Sequence, residues 1–310
     1  MVSAGRSRLT TVALPQGAHR VLASTTMSSL TLAAIQLTST DDVARNLQRS
    51  IALVKEAAAA GAALIGLPEN FAYLGPDRDH RLALAETIGV RSGADGASPI
   101  LSTMQGAARE AGAWLLLGGF PEIGGQTSAE PSAPRRIRNT AILISPAGQI
   151  AAVYRKIHLF DVDVPGGMRF RESEAIEPGS EVVVADTPWG GLGMTICYDL
   201  RFPELYRAIA ARGARLCGVP SAFTLETGKD HWRVLLRARA IENQLFVFAP
   251  AQFGHHGGQR RSYGHALIVD PWGAVVAECG DHEGFALATI DFSYQDQVRA
   301  SLPCLSHRKL

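Results

Sequence analysis

The stretch that decides the fold runs from Gly191 to Arg207 and reads Gly-Leu-Gly-Met-Thr-Ile-Cys-Tyr-Asp-Leu-Arg-Phe-Pro-Glu-Leu-Tyr-Arg. Its first part, Leu192 to Ile196, is a short apolar run next to glycines, which predicts a buried strand. Pro203 and Glu204 predict the start of a helix, because proline needs no N–H at the first helical position and a carboxylate suits the positive helix end. Cys197 lies between the two elements. This order is typical of a nucleophile elbow, a sharp turn that lifts one side chain above a sheet edge.

Cys197 by itself does not establish a nucleophile, since a lone cysteine in an apolar strand is most often a small buried hydrophobe. Two other reactive side chains occupy similar positions. Glu69 follows the predicted strand 63–67, and Lys156 continues directly from the predicted strand 150–154. Either one has a plain alternative as a solvated surface charge. Three coincident placements favour a shared site, because strand ends on one rim of a sheet bring distant residues together.

Together these side chains suit acyl transfer. Cys197 needs a cation that favours its thiolate and a base that accepts its proton, and Lys156 and Glu69 can supply them. Attack on an amide carbon creates an oxyanion, which Lys156 and the backbone N–H of Tyr198 would stabilise. Water activated by Glu69 would then hydrolyse the thioester. Glu172, in the loop after Lys156, would orient that lysine and contact the leaving nitrogen.

Strand and helix patterns alternate in both halves of the chain, which predicts an α/β fold. The opening unit is a strand over 29–37, a helix over 43–60 with apolar residues at helical spacing, and a strand over 63–67. Further helices are expected over 81–89, 98–111, 202–211 and 229–242. The last predicted strand, 284–290, is followed by what reads as a polar tail.

Composition limits the classes of ligand. The 310 residues are 46% hydrophobic and 19% charged with a formal net charge of +1, so no bulk field recruits nucleic acid or an anionic membrane. No apolar run approaches the ~20 residues that span a bilayer. The four cysteines form no Cys-x-x-Cys pair, and the pair Asp161 and Asp163 lacks the remaining ligands of a calcium loop. We therefore expect a small-molecule substrate, no metal, no cofactor and a cytoplasmic location with free thiols.

The N-terminal segment has a different composition. Residues 1–29 contain several arginines, serines and threonines and no acidic residue. We expect a disordered extension upstream of a second start at Met27, and an organelle transit peptide is the alternative. Residues 30–310 are expected to form a single domain.

Three blocks carry a family resemblance: Leu67-Pro68-Glu69-Asn70, the run Tyr154 to Asp161 (Tyr-Arg-Lys-Ile-His-Leu-Phe-Asp), and the run Ile196 to Leu205. They resemble the signature segments of the nitrilase superfamily of carbon–nitrogen hydrolases. The resemblance implies a four-layer α-β-β-α sandwich that assembles as a homodimer or a larger homo-oligomer. It also implies Glu69 as general base, Lys156 as oxyanion stabiliser or proton donor, Cys197 as nucleophile and Glu172 as accessory carboxylate.

Three further runs, at 237–242, 262–265 and 269–273, resemble the superfamily branch of deaminated glutathione amidases. This branch would release an α-keto acid, 2-oxoglutarate, and cysteinylglycine. Alternatives with the same chemistry are an ω-amidase acting on α-ketoglutaramate, an N-carbamoyl hydrolase and a nitrilase. We expect Arg201 to bind a substrate carboxylate, with Phe71 and Phe223 as pocket walls. The alternative for Arg201 is a structural salt bridge at the dimer face.

Overall fold

The described chain opens with the strand–helix–strand unit that the sequence predicts. A computed structural model describes residues 27–89, 99–124, 136–163 and 169–309. Strand β1 (Ser29–Leu37) is followed by helix α1 (Val43–Ala59) and strand β2 (Leu64–Gly66). Asp42 caps α1 by accepting a hydrogen bond from the N–H of Arg45, which satisfies one of the free donors at the helix start. Most of the expected N-terminal extension, residues 1–26, lies outside the described residues.

The rest of the first half contributes two helices and five strands. In order they are α2 (Arg78–Ala83), α3 (Pro99–Ala111), β3 (Trp114–Ile123), β4 (Ile137–Ile144), β5 (Ile150–Arg155), β6 (Asp161–Asp163) and β7 (Arg169–Arg171). The prediction of a helix over 81–89 is wrong beyond Ala83. Glu86 instead pairs with Glu122 in a β-bridge, and its carboxylate accepts from the N–H groups of Ile100 and Leu101 at the start of α3.

The second half contains the remaining strands and helices. These are β8 (Val184–Thr187), β9 (Gly190–Met194), α4 (Pro203–Ala211), β10 (Ala214–Gly218), α5 (Leu225–Asn243), β11 (Phe246–Ala249), β12 (Ala251–His255), β13 (Arg261–Tyr263), β14 (Leu267–Val269), β15 (Val275–Glu278), β16 (Gly284–Asp291) and α6 (Phe292–Ser301). The prediction of a polar tail after the last strand is wrong, because this segment forms helix α6. Asp291 caps this helix, and Phe292, Gln295 and Val298 are buried against the body of the protein.

Two large sheets organise these strands. The first has eight strands in the order β13-β12-β1-β2-β3-β4-β5, with β16 also paired to β1. The second has six strands in the order β15-β14-β11-β10-β9-β8. Strands β6 and β7 form a separate hairpin. Parallel pairing joins β1 to β2, β2 to β3, β9 to β10 and β10 to β11, as expected where helices connect successive strands.

Helices cover the outer faces of both sheets. One apolar cluster packs α1 and α3 against the first sheet, through residues such as Val54 and Met104. The other fills the space between the sheets and continues to α4 and α5, through residues such as Leu116, Leu216 and Trp232. The predicted α-β-β-α sandwich is therefore confirmed. Within the described ranges, no helix is both long and apolar enough to cross a bilayer.

Candidate active site

The turn after β9 holds Cys197 in an unusual backbone conformation. Its φ angle is 49°, in the left-handed region that few residues other than glycine adopt. A short 3₁₀ turn, Cys197–Arg201, begins there, and α4 follows it. The N–H of Cys197 donates to the carbonyl of Pro220 at 2.9 Å, which ties the turn to the chain after β10. The strand, turn and helix of the predicted elbow are thus present, with the cysteine at the turn.

Glu69 lies in the tight turn that follows β2, and its carboxylate is buried. Oε1 accepts hydrogen bonds from Lys156 Nζ at 3.0 Å and from Asn139 Nδ2 at 2.8 Å. Oε2 accepts from the N–H of Ala222 at 3.1 Å. Only 3% of Glu69 is exposed, so the alternative of a solvated loop residue is wrong. The bonds from three separate segments hold both carboxylate oxygens in place.

Lys156 directly follows β5 and is also buried, so it is not a surface charge. Its Nζ lies 3.0 Å from Glu69 Oε1 and 2.8 Å from Glu172 Oε2. Burial works against the charge of this ammonium group, but Glu172 and Glu69 outweigh that effect and raise the pKa of Lys156 well above its ordinary value. The lysine is therefore a fixed cation between two carboxylates.

Glu172 completes this charged cluster. Its Oε2 accepts from Lys156 and from the N–H of Phe160 at 2.7 Å, and its Oε1 accepts from Asn139 Nδ2 at 3.0 Å. Burial acts to raise the pKa of Glu172, but Lys156 and the hydrogen bonds lower it to about 2. Glu172 is consequently ionised at neutral pH, and together with Glu69 it holds the ammonium group of Lys156.

The Cys197 thiol is neutral in this arrangement. Burial raises its pKa well above the ordinary value, the charge of Glu69 raises it further, and Lys156 opposes both effects. Lys156 therefore acts in the expected direction, in favour of the thiolate, but its effect on the pKa of Cys197 is smaller than the effects of burial and of Glu69. Glu69 also accepts a hydrogen bond from the thiol, which places a base next to the proton that must leave.

The predicted oxyanion donors lie at the same place. Tyr198 is the second residue of the 3₁₀ turn, and the first N–H groups of a helical turn have no acceptor within it. Cys197 uses its own N–H on Pro220, which leaves the next N–H for an incoming oxygen. Lys156 Nζ lines the same cavity.

A cavity of about 170 Å³ opens onto these groups. Glu69, Lys156, Glu172 and Cys197 line it, together with Tyr198, Arg201 and Phe223. Phe71 does not. Its side chain is fully buried in the apolar cluster between the first sheet and helices α1 and α3, so the expectation that Phe71 forms a pocket wall is wrong. The turn after Glu69 directs that ring into the core, whereas Phe160 and Phe170 supply aromatic walls.

Arg201 faces the cavity without an acidic partner. Its guanidinium lies 5.3 Å from the ring centroid of Phe223 and 5.9 Å from that of Tyr198. Its Nη1 is 3.3 Å from His231 Nδ1. Among the described residues, no carboxylate lies within 4.0 Å of it, so a salt bridge inside the chain does not explain this arginine.

The reactive groups come from two sheets, whereas we expected the rim of one. Glu69 and Lys156 follow β2 and β5 of the first sheet, and Cys197 follows β9 of the second. The sheets pack face to face, so their strand ends converge on one cavity. A hydrogen bond from the N–H of Ala222, in the segment after β10, to Glu69 Oε2 then bridges the two sheets.

Besides the aromatic walls Phe160 and Phe170, sequence reasoning missed three polar residues of the site. Asn139 bridges Glu69 and Glu172, while Arg81 and Arg260 line the cavity. An asparagine inside the apolar strand β4 was the available signal, because asparagine is uncommon in strand interiors. The two arginines had none, since Arg260 lies among loop residues and Arg81 among charged residues of a short helix.

Comparisons with known proteins agree with this geometry. The profile of the family described as carbon-nitrogen hydrolase matches residues 31–300. A deaminated glutathione amidase from Synechocystis is 44% identical over 89% of this chain and 97% of its own length, and the human protein of that name is 43% identical over 90% and 82%.

Solved structures give the same result. The C. elegans NitFhit protein superposes with a TM-score of 0.80 at 40% identity, covering 91% of this chain and 65% of that one. Yeast Nit3, described as a member of branch 10 of the nitrilase superfamily, has a TM-score of 0.78 at 30% identity, covering 91% and 97%. The family match spans both sheets and every reactive residue of the cavity, and the chain therefore belongs to the carbon–nitrogen hydrolases of the nitrilase superfamily.

Proposed function

We propose that this amidase cleaves the amide of deaminated glutathione with a Cys197–Glu69–Lys156 triad. The observation that carries the proposal is the cluster of thiol, carboxylate and ammonium groups around one cavity, with Glu69 bonded to both of the others. Tight placement of reacting groups supplies much of the rate enhancement in acyl transfer.

The first half-reaction forms a thioester. Glu69 takes the proton of the neutral thiol as Cys197 Sγ attacks the amide carbon. Lys156 Nζ and the Tyr198 N–H stabilise the oxyanion that develops, at about 3 kcal/mol for each donor. The C–N bond then breaks, and protonated Glu69 returns its proton to the leaving nitrogen. Glu172 and Asn139 hold Lys156 and Glu69 in position throughout.

The second half-reaction restores the enzyme. Water enters where the amine left, Glu69 accepts one of its protons, and the oxygen attacks the thioester carbon. The C–S bond breaks and Cys197 recovers the proton from Glu69. For deaminated glutathione the products are cysteinylglycine and 2-oxoglutarate.

The substrate assignment has two supports. Relatives with the name deaminated glutathione amidase cover most of this chain at more than 40% identity. Arg201, which has no carboxylate partner among the described residues, also offers its guanidinium to an α-keto carboxylate, beside the rings of Tyr198 and Phe223. Because Arg201 would serve α-ketoglutaramate as well, the ω-amidase reaction is the second candidate.

A substrate panel tests the proposal. Purified enzyme is incubated with deaminated glutathione, α-ketoglutaramate, an N-carbamoyl amino acid and an aliphatic nitrile, and the products are followed by mass spectrometry and ammonia release. Deaminated glutathione should have the highest kcat/KM. Cys197→Ala should abolish turnover with the circular dichroism spectrum unchanged. A preference for any other compound on the panel would overturn the substrate assignment.

We also propose that the protein works as a homodimer. Helix α5 exposes Val234 and Ile241, which lie two turns apart on one face, and the β14–β15 turn, whose Gly273 packs against Ile241, exposes Trp272. Val234 is 66% exposed and Trp272 is 60% exposed, and contiguous apolar surface of this kind is typical of protein interfaces. The cytoplasmic location stays a prediction.

A further inference from the structure

The cavity contains more positive charge than its carboxylates can balance. Arg81, Arg171, Arg201 and Arg260 all line it. Arg171 is paired with Asp163 at 3.0 Å, but in the described parts of the chain the other three arginines have no carboxylate within 4.0 Å. Glu69 and Glu172 carry two negative charges. Lys156 balances one of these charges, and the second can balance one of the three arginines. Two arginine charges therefore remain without a counter-charge.

Among the arginines of the cavity, Arg260 was not predicted from the sequence. It directly precedes β13, is partly buried, and places its guanidinium 5.9 Å from the ring centroid of Phe170. Burial lowers the pKa of Arg260, the charge of Glu69 opposes this effect, and the nearby charge of Arg81 adds to it. A cation that is withdrawn from water and lies beside another cation is costly unless an anion joins it.

Arg201 and Arg260 occupy different walls of the cavity. Arg201 contacts Tyr198 and Phe223, which flank the nucleophile. Arg260 contacts Phe170 of the β6–β7 hairpin, and Arg81 bonds Asn70 Oδ1 at 2.9 Å, next to the general base. The two arginines therefore have separate aromatic neighbours in the cavity, and each can pair with a carboxylate of its own.

We propose that Arg260, together with Arg81, binds a second substrate carboxylate, so that the enzyme selects dianionic amides. The inference rests on the proposed function and deepens it. Arg201 binds the carboxylate of the acyl part, and Arg260 binds the carboxylate at the far end of the leaving group. Deaminated glutathione carries both carboxylates, one on the keto acid and one on the terminal glycine. α-Ketoglutaramate carries only the first.

The test removes the second carboxylate from the substrate and the second cation from the enzyme. The two substrates are deaminated glutathione and its glycinamide analogue, which keeps the scissile amide but has one charge fewer. Arg260→Gln should raise the KM for deaminated glutathione about 10- to 100-fold, as expected for loss of charge-assisted hydrogen bonds, and change its kcat and the rates on the analogue by less than about 3-fold. Arg261→Gln is the matched control, because Arg261 is adjacent, exposed and outside the cavity lining.

A binding measurement separates this inference from the proposed function. Calorimetry on Cys197→Ala protein, with and without Arg260→Gln, gives the affinity for each compound without turnover. Binding that favours the dianion through Arg260 supports the inference even if the wild-type enzyme fails to hydrolyse it. Equal losses on both compounds would show that Arg260 acts through Glu69, and would overturn the inference. Unchanged affinity in Arg260→Gln would overturn it too.

Discussion

At the scale of single residues, the site holds Cys197 as a thiol next to the salt bridge between Glu69 and Lys156. Glu69 touches Lys156, Asn139, the Ala222 N–H and the Cys197 thiol, so its charge controls the protonation of the nucleophile. A neutral thiol is less open to oxidation and alkylation than a thiolate. Deprotonation therefore waits for a substrate whose developing charge Lys156 can stabilise.

Replacing Glu69 should separate turnover from thiol acidity. Glu69→Gln removes the base, so kcat should fall about 10²- to 10⁴-fold. The same change removes a negative charge beside sulfur, so the pKa of Cys197 should fall. The rate of alkylation by iodoacetamide is measured as a function of pH, with mass spectrometry of the proteolytic peptide that contains Cys197, and gives this pKa. A rise in the thiol pKa would contradict the electrostatic account.

A second residue-scale prediction concerns His256, which is buried below β12. Its Nδ1 donates to the Ser39 carbonyl at 2.7 Å, and within the described residues its buried Nε2 has no hydrogen-bond partner. Burial lowers the pKa of His256 from 6.5 to about 4. Between these pH values the unfolded chain binds the proton and the folded protein does not, so the free energy of unfolding should fall as the pH drops from 6.5 to 4, by up to about 3 kcal/mol.

His256→Gln should flatten that part of the stability curve, measured by urea unfolding at half-unit pH steps. His255→Gln is the control, because His255 is the exposed neighbour of His256 at the end of β12. Equal pH slopes for wild type and His256→Gln would refute this assignment.

At the scale of elements, the site depends on the turns that follow strands and on the hydrogen bonds that connect these turns. Asp199 in the 3₁₀ turn accepts hydrogen bonds from Tyr154 Oη, from the His158 N–H and from the Ile196 N–H. Tyr154 and His158 flank Lys156 on either side. A single buried carboxylate therefore connects the turn of the nucleophile to the segment of the lysine. The turn that carries Glu69 packs closely against the backbone of the β3 bulge at Gly118 and Gly119.

The bulge gives an element-scale prediction. At Gly119, which has a φ of +66°, an added Cβ would lie 2.3 Å from the backbone nitrogen of Asn70 and 2.9 Å from Glu69 Cγ. Gly119→Ala should therefore displace Glu69 and reduce kcat at least about 10-fold, since small misplacement of catalytic groups is costly. Gly112→Ala is the matched control, because Gly112 has a φ of +61° and nothing within 4 Å of its Cβ position.

Both alanine variants carry the penalty of a left-handed backbone, so both should lower the thermal midpoint by a few degrees. Activity is the measurement that separates them. If Gly112→Ala loses as much kcat as Gly119→Ala, the bulge does not position the base.

At the scale of the whole molecule, two sheets act as the two halves of the site. The first supplies Glu69 and Lys156, and the second supplies Cys197, the proposed nucleophile. Packing between them decides how far the carboxylate lies from the sulfur, so core residues such as Leu116 and Leu216 have an indirect effect on catalysis. Helix α5 and the β14–β15 turn of the second sheet also carry the exposed apolar residues Val234, Ile241 and Trp272.

The proposed homodimer is tested on that surface. Val234→Glu places a charge in the middle of the apolar face and should convert a dimer into monomers, measured by light scattering after size-exclusion chromatography. Ile123→Glu is the control, because Ile123 is 38% exposed at the end of β3 and lies on the first sheet. A Val234→Glu protein that keeps the wild-type mass would remove α5 from the interface.

The sequence by itself determined the family, through its three signature blocks, and it predicted the reactive residues and most of the elements that carry them. Short-range patterns suffice for this, because periodicity and turn chemistry act within a few residues, and the three signature blocks are local runs. Only the tertiary structure decided that two sheets share the site, that the thiol is neutral, that Phe71 packs into the core and that Arg260 and Asn139 reach the cavity. These properties arise from burial and from contacts between residues far apart in the chain, which no local run of sequence encodes.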